Sequence, residues 1–156
     1  MTHPEPRDRE QRTRDTLAKL AEPAVDVWVA TAAPAGSAAD PYLVPLSLAW
    51  IDERAVIAVE NSSRTARNIE AGRTARLALG PTRDVVVIDA RLERSVSAAE
   101  APDLAERYAR QADWDPRTAG DTYRYLVLRP ERIQAWREAN ELSGRTLMRD
   151  GTWITR

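Results

Sequence analysis

YLVPLSLAWIDERAVIAVE, residues 42–60, is the stretch on which the fold turns. Tyr42, Val44, Leu46, Leu48 and Trp50 recur at every second position, the period of a strand with one face toward a core. Asp52-Glu53-Arg54 interrupts the apolar run as a tight turn, and residues 55–59 are then apolar on both faces. Two such runs joined by so short a turn read as a β-hairpin.

Upstream, residues 25–31 are apolar and β-branched and predict a strand with Trp28 in the core, followed by a loop at Pro34, Gly36 and Asp40-Pro41. Asp8 and Gln11 mark a helix start, Leu17, Leu20 and Ala21 share its inner face, and Glu22-Pro23 ends it. Residues 1–15 carry charge and proline with almost nothing to bury, which predicts a mobile tail ahead of one domain over 16–156.

Downstream, residues 62–72 return to a helical period, with serine at the start, Gly72 past the end, and Ala66, Ile69 and Ala71 inward. Ala75, Leu77 and Leu79 alternate in a strand stopped by Gly80-Pro81. The longest strand covers 85–96, with Val86, Ile88, Ala90 and Leu92 inside. Ser97 and Glu100 have capping-box spacing before a helix carrying Leu104, Ala105 and Tyr108. A loop over 112–121 holds Trp114 and Pro116. Strands over 123–128 and 133–137 follow, separated by Pro130, with Tyr123 and Tyr125 on a half-buried surface. Asp150-Gly151 between apolar flanks predicts a closing hairpin over 146–155, and Trp50 and Trp153 serve packing. Six to seven mostly consecutive strands with three short helices predict a mostly β, antiparallel α+β barrel rather than a doubly wound parallel sheet.

Composition narrows the chemistry. The 156 residues include no cysteine and one histidine, His3, beside prolines in the charged tail. Disulfides, thiolate metal sites, a Ser-His-Asp triad and a multi-histidine zinc site are thereby disfavoured. A formal net charge of −1 argues against nucleic acid as the main partner, and every basic residue except Lys19 is arginine. No run approaches the length of a membrane span, and no positive-then-apolar leader opens the chain, so a soluble cytoplasmic protein is expected.

Chemistry concentrates at Glu60-Asn61-Ser62-Ser63-Arg64-Thr65-Ala66-Arg67-Asn68, where a strand runs into a helix start with free backbone N–H groups. Arg64 and Arg67 lie one turn apart on the same face. The segment is either a serine cap followed by two solvated arginines or a phosphate cradle of amides, hydroxyls and guanidinium forks. Arginine in a first turn, where Asp or Glu is the stabilising choice, favours the cradle. Trp136 near the closing strands either packs or stacks on a ring. Arg129, Arg137 and Arg145 are either solvated or reach across a dimer. Glu60 has no identified partner for acid–base work.

Three features in order carry a family resemblance: Tyr42–Trp50, then Ser63–Ile69 leading into Ala75–Leu79, then Arg132-Ile133-Gln134-Ala135-Trp136. With these the chain resembles the pyridoxamine 5′-phosphate oxidase-like superfamily of flavin- and deazaflavin-binding split β-barrels. The resemblance implies a homodimer with cofactors in clefts between subunits. It places Val44, Pro45, Leu46 and Ser47 against an FMN or F420 ring, with Val59, Glu60 and Asn61 flanking it. Ser62, Ser63, Arg64 and Arg67 would hold the phosphate, with Asn68 and Trp136 completing the set. Lysine is frequent in the family where Thr65 stands here. The arginine-leucine-histidine signature of the true oxidases has no counterpart, since Arg145-Thr146-Leu147-Met148-Arg149 lacks histidine.

The resemblance thus implies an F420- or FMN-dependent oxidoreductase that moves a hydride between cofactor and a small organic substrate. No metal and no protein acid, base or nucleophile is required, because the chemistry belongs to the cofactor. The arginine excess favours F420, whose tail is anionic. Two alternatives stand beside this: a non-catalytic flavin or F420 carrier or sensor, and a haem-handling relative, for which His3 is a poor axial ligand.

Overall fold

A computed structural model describes residues 2–33 and 40–155, so the expected loop positions Pro34 and Gly36 lie outside the described residues. The central hairpin is present as β2 (Pro41–Ile51) and β3 (Arg54–Glu60), with Leu48 opposite Ile57 and Ile51 opposite Arg54. Asp52 and Glu53 both take positive φ, 50° and 58°, the left-handed geometry that matches a two-residue turn to strand twist. Around this hairpin lie α1 (Arg9–Ala21), β1 (Asp26–Ala32), α2 (Arg64–Gly72), β4 (Thr74–Leu79), β5 (Val85–Val96), α3 (Pro102–Ala112), β6 (Tyr123–Trp136), β7 (Thr146–Arg149) and β8 (Thr152–Trp153).

The sheet order is β3-β2-β1-β4-β5-β6-β7-β8, and β3 also pairs with β6, from Ala55 opposite Leu128 to Glu60 opposite Tyr123. The first six strands therefore close an antiparallel barrel, and β7 and β8 extend it as a hairpin turned at Asp150-Gly151. The fold is mostly β, as the patterning predicts, with one more strand than the upper expectation.

Alternation sorts the strands between two cores. Ala55, Ile57 and Val59 of β3 and Leu126 and Leu128 of β6 point into the barrel with Val27, Val29, Leu48, Val86 and Ile88. Val56 and Ala58 of β3, Tyr125 and Val127 of β6, and Ala49 and Ile51 of β2 point outward, under Leu104, Ala105 and Tyr108 of α3. β3 is apolar on both faces because it separates these cores. Each fully buried large side chain contributes roughly 1.5–3 kcal/mol of transfer free energy. Tyr125 is 1% exposed in the second core, so the expected half-buried position is corrected, and burial pushes its hydroxyl pKa up.

Several local expectations are corrected as well. β6 is one 14-residue strand, not two. Ala90 faces Pro130 and Asp89 faces Arg132, which leaves Glu131 in a bulge where a residue without an N–H is tolerated. Trp28 is 52% exposed rather than core, because Val27, Val29 and Thr31 take the inner face of β1. The Ser97–Glu100 box forms both of its hydrogen bonds, yet it closes the turn before α3, whose first residue is Pro102. In α2, Gly72 lies inside the helix, Arg73 takes the left-handed cap position at φ 66°, and Ala71 is exposed.

β2 exchanges partners along its length. Residues 41–47 pair with β1, while only 48–51 pair with β3. Beyond Leu48 and Ile57 the two strands part, so every second residue of 41–47 turns its backbone groups away from β1 with no strand among the described residues to receive them. α3 secures the point of divergence. The Tyr108 hydroxyl donates to Ser47 O at 3.0 Å, and the Ala58 backbone faces its oxygen from the other lip. Gln111 accepts from Trp50 N at 2.8 Å and donates to Leu20 O at 2.7 Å, tying β2 to the end of α1.

α1 begins at Arg9 with Asp8 capping Gln11 N, so the expected boundary at residues 15 and 16 falls within a helix. Its buried residues are Arg12, Thr16 and Leu20, whereas Leu17 and Ala21 are exposed. The reason is a buried charge cluster. Arg7 reaches Glu141 with Nε at 3.0 Å and Nη2 at 2.7 Å, and its backbone N–H also donates to that carboxylate. Arg12 donates to Glu141 O and Ser143 O.

The Arg7 hydrogen bond holds the Glu141 carboxyl near pKa 2 against 4.5 for the free group, although burial opposes the shift. A depressed pKa contributes stability that is complete above pH 4.5 and lost as pH falls toward 2. Glu141→Gln should therefore destabilise the fold by about 3 kcal/mol at neutral pH. The gap from wild type should shrink on acidification through that window, as chemical denaturation at stepped pH would show; a constant gap counts against the pairing. Tyr108→Phe should cost about 1 kcal/mol and speed amide exchange at Ala58. Unchanged protection at Ala58 would remove the hydroxyl from the divergence point.

Candidate functional site

The opening between β2 and β3 has its apex at Ser47, Ala58 and Tyr108, and its far end lies where β3 runs into α2. Ser63, not Ser62, caps α2: its hydroxyl accepts from Ala66 N at 3.1 Å, and its own N–H donates to Glu60 O at 3.0 Å. The turn is fixed from the other side by Asn61 N donating to Thr122 O at 2.9 Å and by the Thr122 hydroxyl donating to Glu60. Ala66 and Ile69 anchor the helix in the barrel core. A helix start leaves the N–H groups of its first residues without partners inside the helix, and no acidic residue occupies this first turn.

Arg64 crosses from α2 to the mouth of β2. Its guanidinium carbon lies 4.9 Å from the Tyr42 ring centre, and Nη2 is 3.9 Å from Asp40 Oδ2. One cleft therefore has the outer half of β2, with Val44, Pro45, Leu46 and Ser47, as one lip, and Val59, Glu60, Asn61 and the α2 entrance as the other. Arg67 is exposed one turn along, with no ion pair among the described residues. Part of the Arg64 charge is already balanced by Asp40, which leaves Arg67 the freer cation.

Two expected site residues do not reach this cleft within one chain. Asn68 is buried and donates to Thr31 Oγ1 at 3.1 Å, so it joins α2 to β1. Trp136 faces Val85, at the end of the 14-residue β6 opposite to Tyr123 and Glu60, and Arg145 stacks over it at 5.0 Å. Thr65 is buried at 3% exposure, so its side chain does not open onto the helix entrance. Arg129 pairs with Glu131, and Arg137 with Asp84 and Asp15. Tyr108 is the site residue that sequence patterning misses. Its helical spacing shows a core position, and nothing local shows its hydroxyl meeting a strand; burial pushes that hydroxyl pKa up.

The outer wall divides sharply. α3 covers β3, the start of β6 and the end of β2, whereas no described residue of β1, of the outer half of β2 or of β4 belongs to that second core. Trp28 and Leu43, 52% and 58% exposed, stand there with Pro45 opposite Trp28 and Ala78 beside it. This apolar face borders the β2 lip of the cleft. Among the described residues no group of His, Asp and Glu is placed to hold a metal ion, and no helix is long and apolar enough to cross a membrane.

The pyridoxamine 5′-phosphate oxidase family model matches residues 14–137. No curated protein matches the chain. Similar solved structures include an F420 reductase, with TM-score 0.54 and 21% identity over 73% of this chain and 92% of that one. A haem-binding protein from Mycobacterium smegmatis gives TM-score 0.62 and 19% identity over 97% of this chain, which spans 60% of its length. A pyridoxamine 5′-phosphate oxidase-related, FMN-binding protein from Nostoc punctiforme gives 0.52 and 14%, covering 81% and 78% of the two chains. At these identities the structural likeness establishes the barrel alone. The family match spans most of the sequence, and the chain belongs to the pyridoxamine 5′-phosphate oxidase family.

Proposed function

We propose that this protein is an oxidoreductase that binds FMN or F420 in the cleft between β2 and α2, at the interface of two copies, and serves hydride transfer to or from a small organic substrate. The observation that carries the reading is the parting of β2 from β3 beyond Leu48 and Ile57. Among the described residues it leaves a row of backbone donors and acceptors without strand partners, ending at a helix whose first turn has no acidic residue. A planar heterocycle with polar edges and a phosphate matches both ends of that donor set.

The bound group would supply the redox chemistry. The chain's own residues bind and orient. Backbone along Val44, Pro45, Leu46 and Ser47 offers hydrogen bonds to a ring edge, and Val59 adds an apolar wall that excludes water. Amides at the α2 entrance, the Ser62 and Ser63 hydroxyls, and Arg67 with Arg64 hold the phosphate. Trp136 joins the site only if a second copy brings it there. The exposed Trp28 and Leu43 beside the β2 lip support that second copy, since a homodimer would cover them. A cytoplasmic location belongs to the same reading.

The arginine excess does not favour F420 over FMN, because many arginines are paired with carboxylates of the same chain, among them Arg54 with Glu93, Arg107 with Asp52 and Arg117 with Asp115. Mass spectrometry of small molecules released from denatured protein should find FMN or F420. Arg67→Ala should weaken binding by roughly 1.5–3 kcal/mol, and Arg64→Ala by less. Unaltered affinity in both variants would remove the phosphate from this entrance. Trp28→Glu should yield monomer and lose the cofactor together. Tight cofactor binding without steady-state reduction of quinones or nitroaromatics would make the protein a carrier.

A further inference from the structure

The loop from β5 to α3 and the loop from α3 to β6 meet over the outer face of β6. Between them lies a cavity of 320 Å³, walled by Ala98, Ala99, Pro116, Gly120, Tyr123 and Tyr125. That exceeds the roughly 150 Å³ apolar cavity that admits benzene and leaves room for a second fused ring. Neither Tyr108 nor Trp114 lines it. Both pack edge-on against the tyrosines that do, Tyr108 on Tyr125 at 5.4 Å and Trp114 on Tyr123 at 5.4 Å. An aromatic wall thus parts the cavity from the apex of the cleft at Tyr108.

Tyr125 is the reason to assign this cavity a ligand. Strand pairing fixes it between Ala58 of β3 and Val96 of β5, and the residue is 1% exposed. Its hydroxyl is buried with no hydrogen-bond partner among the described residues. The charges of Asp115 and Arg117 act on that hydroxyl, which directs it toward the loop between α3 and β6, the cavity side. A buried hydroxyl left unpaired is costly, and phenylalanine would fill the same space without that cost.

The rim does not call for a charged ligand. The Arg117 guanidinium is committed to Asp115, with Nε at 2.8 Å, and to Glu106, with Nη2 at 2.9 Å. The Ser97 hydroxyl accepts from Glu100 N at 3.2 Å. Asp121 stands exposed at the rim, where its charge repels an anion. One hydroxyl at the bottom is too little to offset the desolvation of a charge of either sign.

We propose that this cavity binds a small uncharged molecule of one or two rings whose carbonyl oxygen accepts from the Tyr125 hydroxyl while the rings fill the apolar walls. The hydroxyl is sealed from solvent, so the loop over 113–121 shifts slightly as the oxygen enters. The proposal concerns the outer face of β6 and stands whether or not the cleft holds FMN or F420.

Titration calorimetry and thermal unfolding of the full chain test this, with tetralone as the probe, naphthalene as a similar shape without oxygen, and naphthoate as the charged analogue. Tetralone should bind at least about tenfold more tightly than either of the others. Equal affinity for tetralone and naphthalene, a preference for naphthoate, or no binding of tetralone overturns the proposal. Tyr125→Phe should raise the midpoint of the ligand-free protein and bring tetralone down to the affinity of naphthalene. A midpoint that falls or stays, or a variant that still prefers tetralone, refutes the role of the hydroxyl. Tetralone affinity should be the same with and without saturating FMN or F420. Displacement by either would put the probe in the cofactor cleft and overturn the assignment to this cavity.

Discussion

β2 has two neighbours and does not satisfy both along its whole length. Its outer half follows β1, and its inner half follows β3 into the wall that β3 closes with β6. A barrel whose strands paired fully would have no opening. Here the six pairs of β3 with β6 draw β3 away, and a row of backbone groups on β2 is left without strand partners among the described residues. Unpaired backbone groups are costly where water is excluded. The fold limits that cost by propping the divergence with Tyr108 and Gln111 and leaving the rest where a ligand or water can reach it.

α3 is the second half of the same arrangement. By covering the outer face of β3 and the start of β6, it creates a second core and makes those strands apolar on both sides. Among the described residues α3 does not extend over the far wall, and Trp28 and Leu43 stand exposed on it beside the cleft. The covered wall backs the closing strands, while the other wall borders the β2 lip of the cleft.

Charge is handled by local pairing. Arg7 and Glu141 link the N-terminal segment to the turn after β6, and the Asp52 carboxylate fastens the central hairpin to Arg107 of α3 with two contacts of 2.8 Å. Against this background Arg67 at the α2 entrance has no ion pair among the described residues, whereas Arg64 one turn before it has Asp40. An arginine already neutralised by a neighbouring carboxylate adds little attraction for an anion.

The local signals were legible because their causes are local. Alternation in 42–50 and 85–96, the turns at Asp52-Glu53 and Asp150-Gly151, and the serine before α2 all depend on neighbouring residues, and these elements stand where patterning puts them. Pro130 misled because its missing N–H is accommodated by a bulge whose position is set by β5 across the ladder. Trp28 and Asn68 misled because size and polarity do not reveal which strand face is inner, or that Thr31 waits for an amide. The residues by themselves determined the strands, the turns and the helix entrance with its arginines. Only the tertiary structure decided where β2 leaves β3, that a tyrosine from α3 bridges the gap, and which arginines lack carboxylates. Those outcomes are contacts between segments far apart in the chain, and no local spacing encodes them.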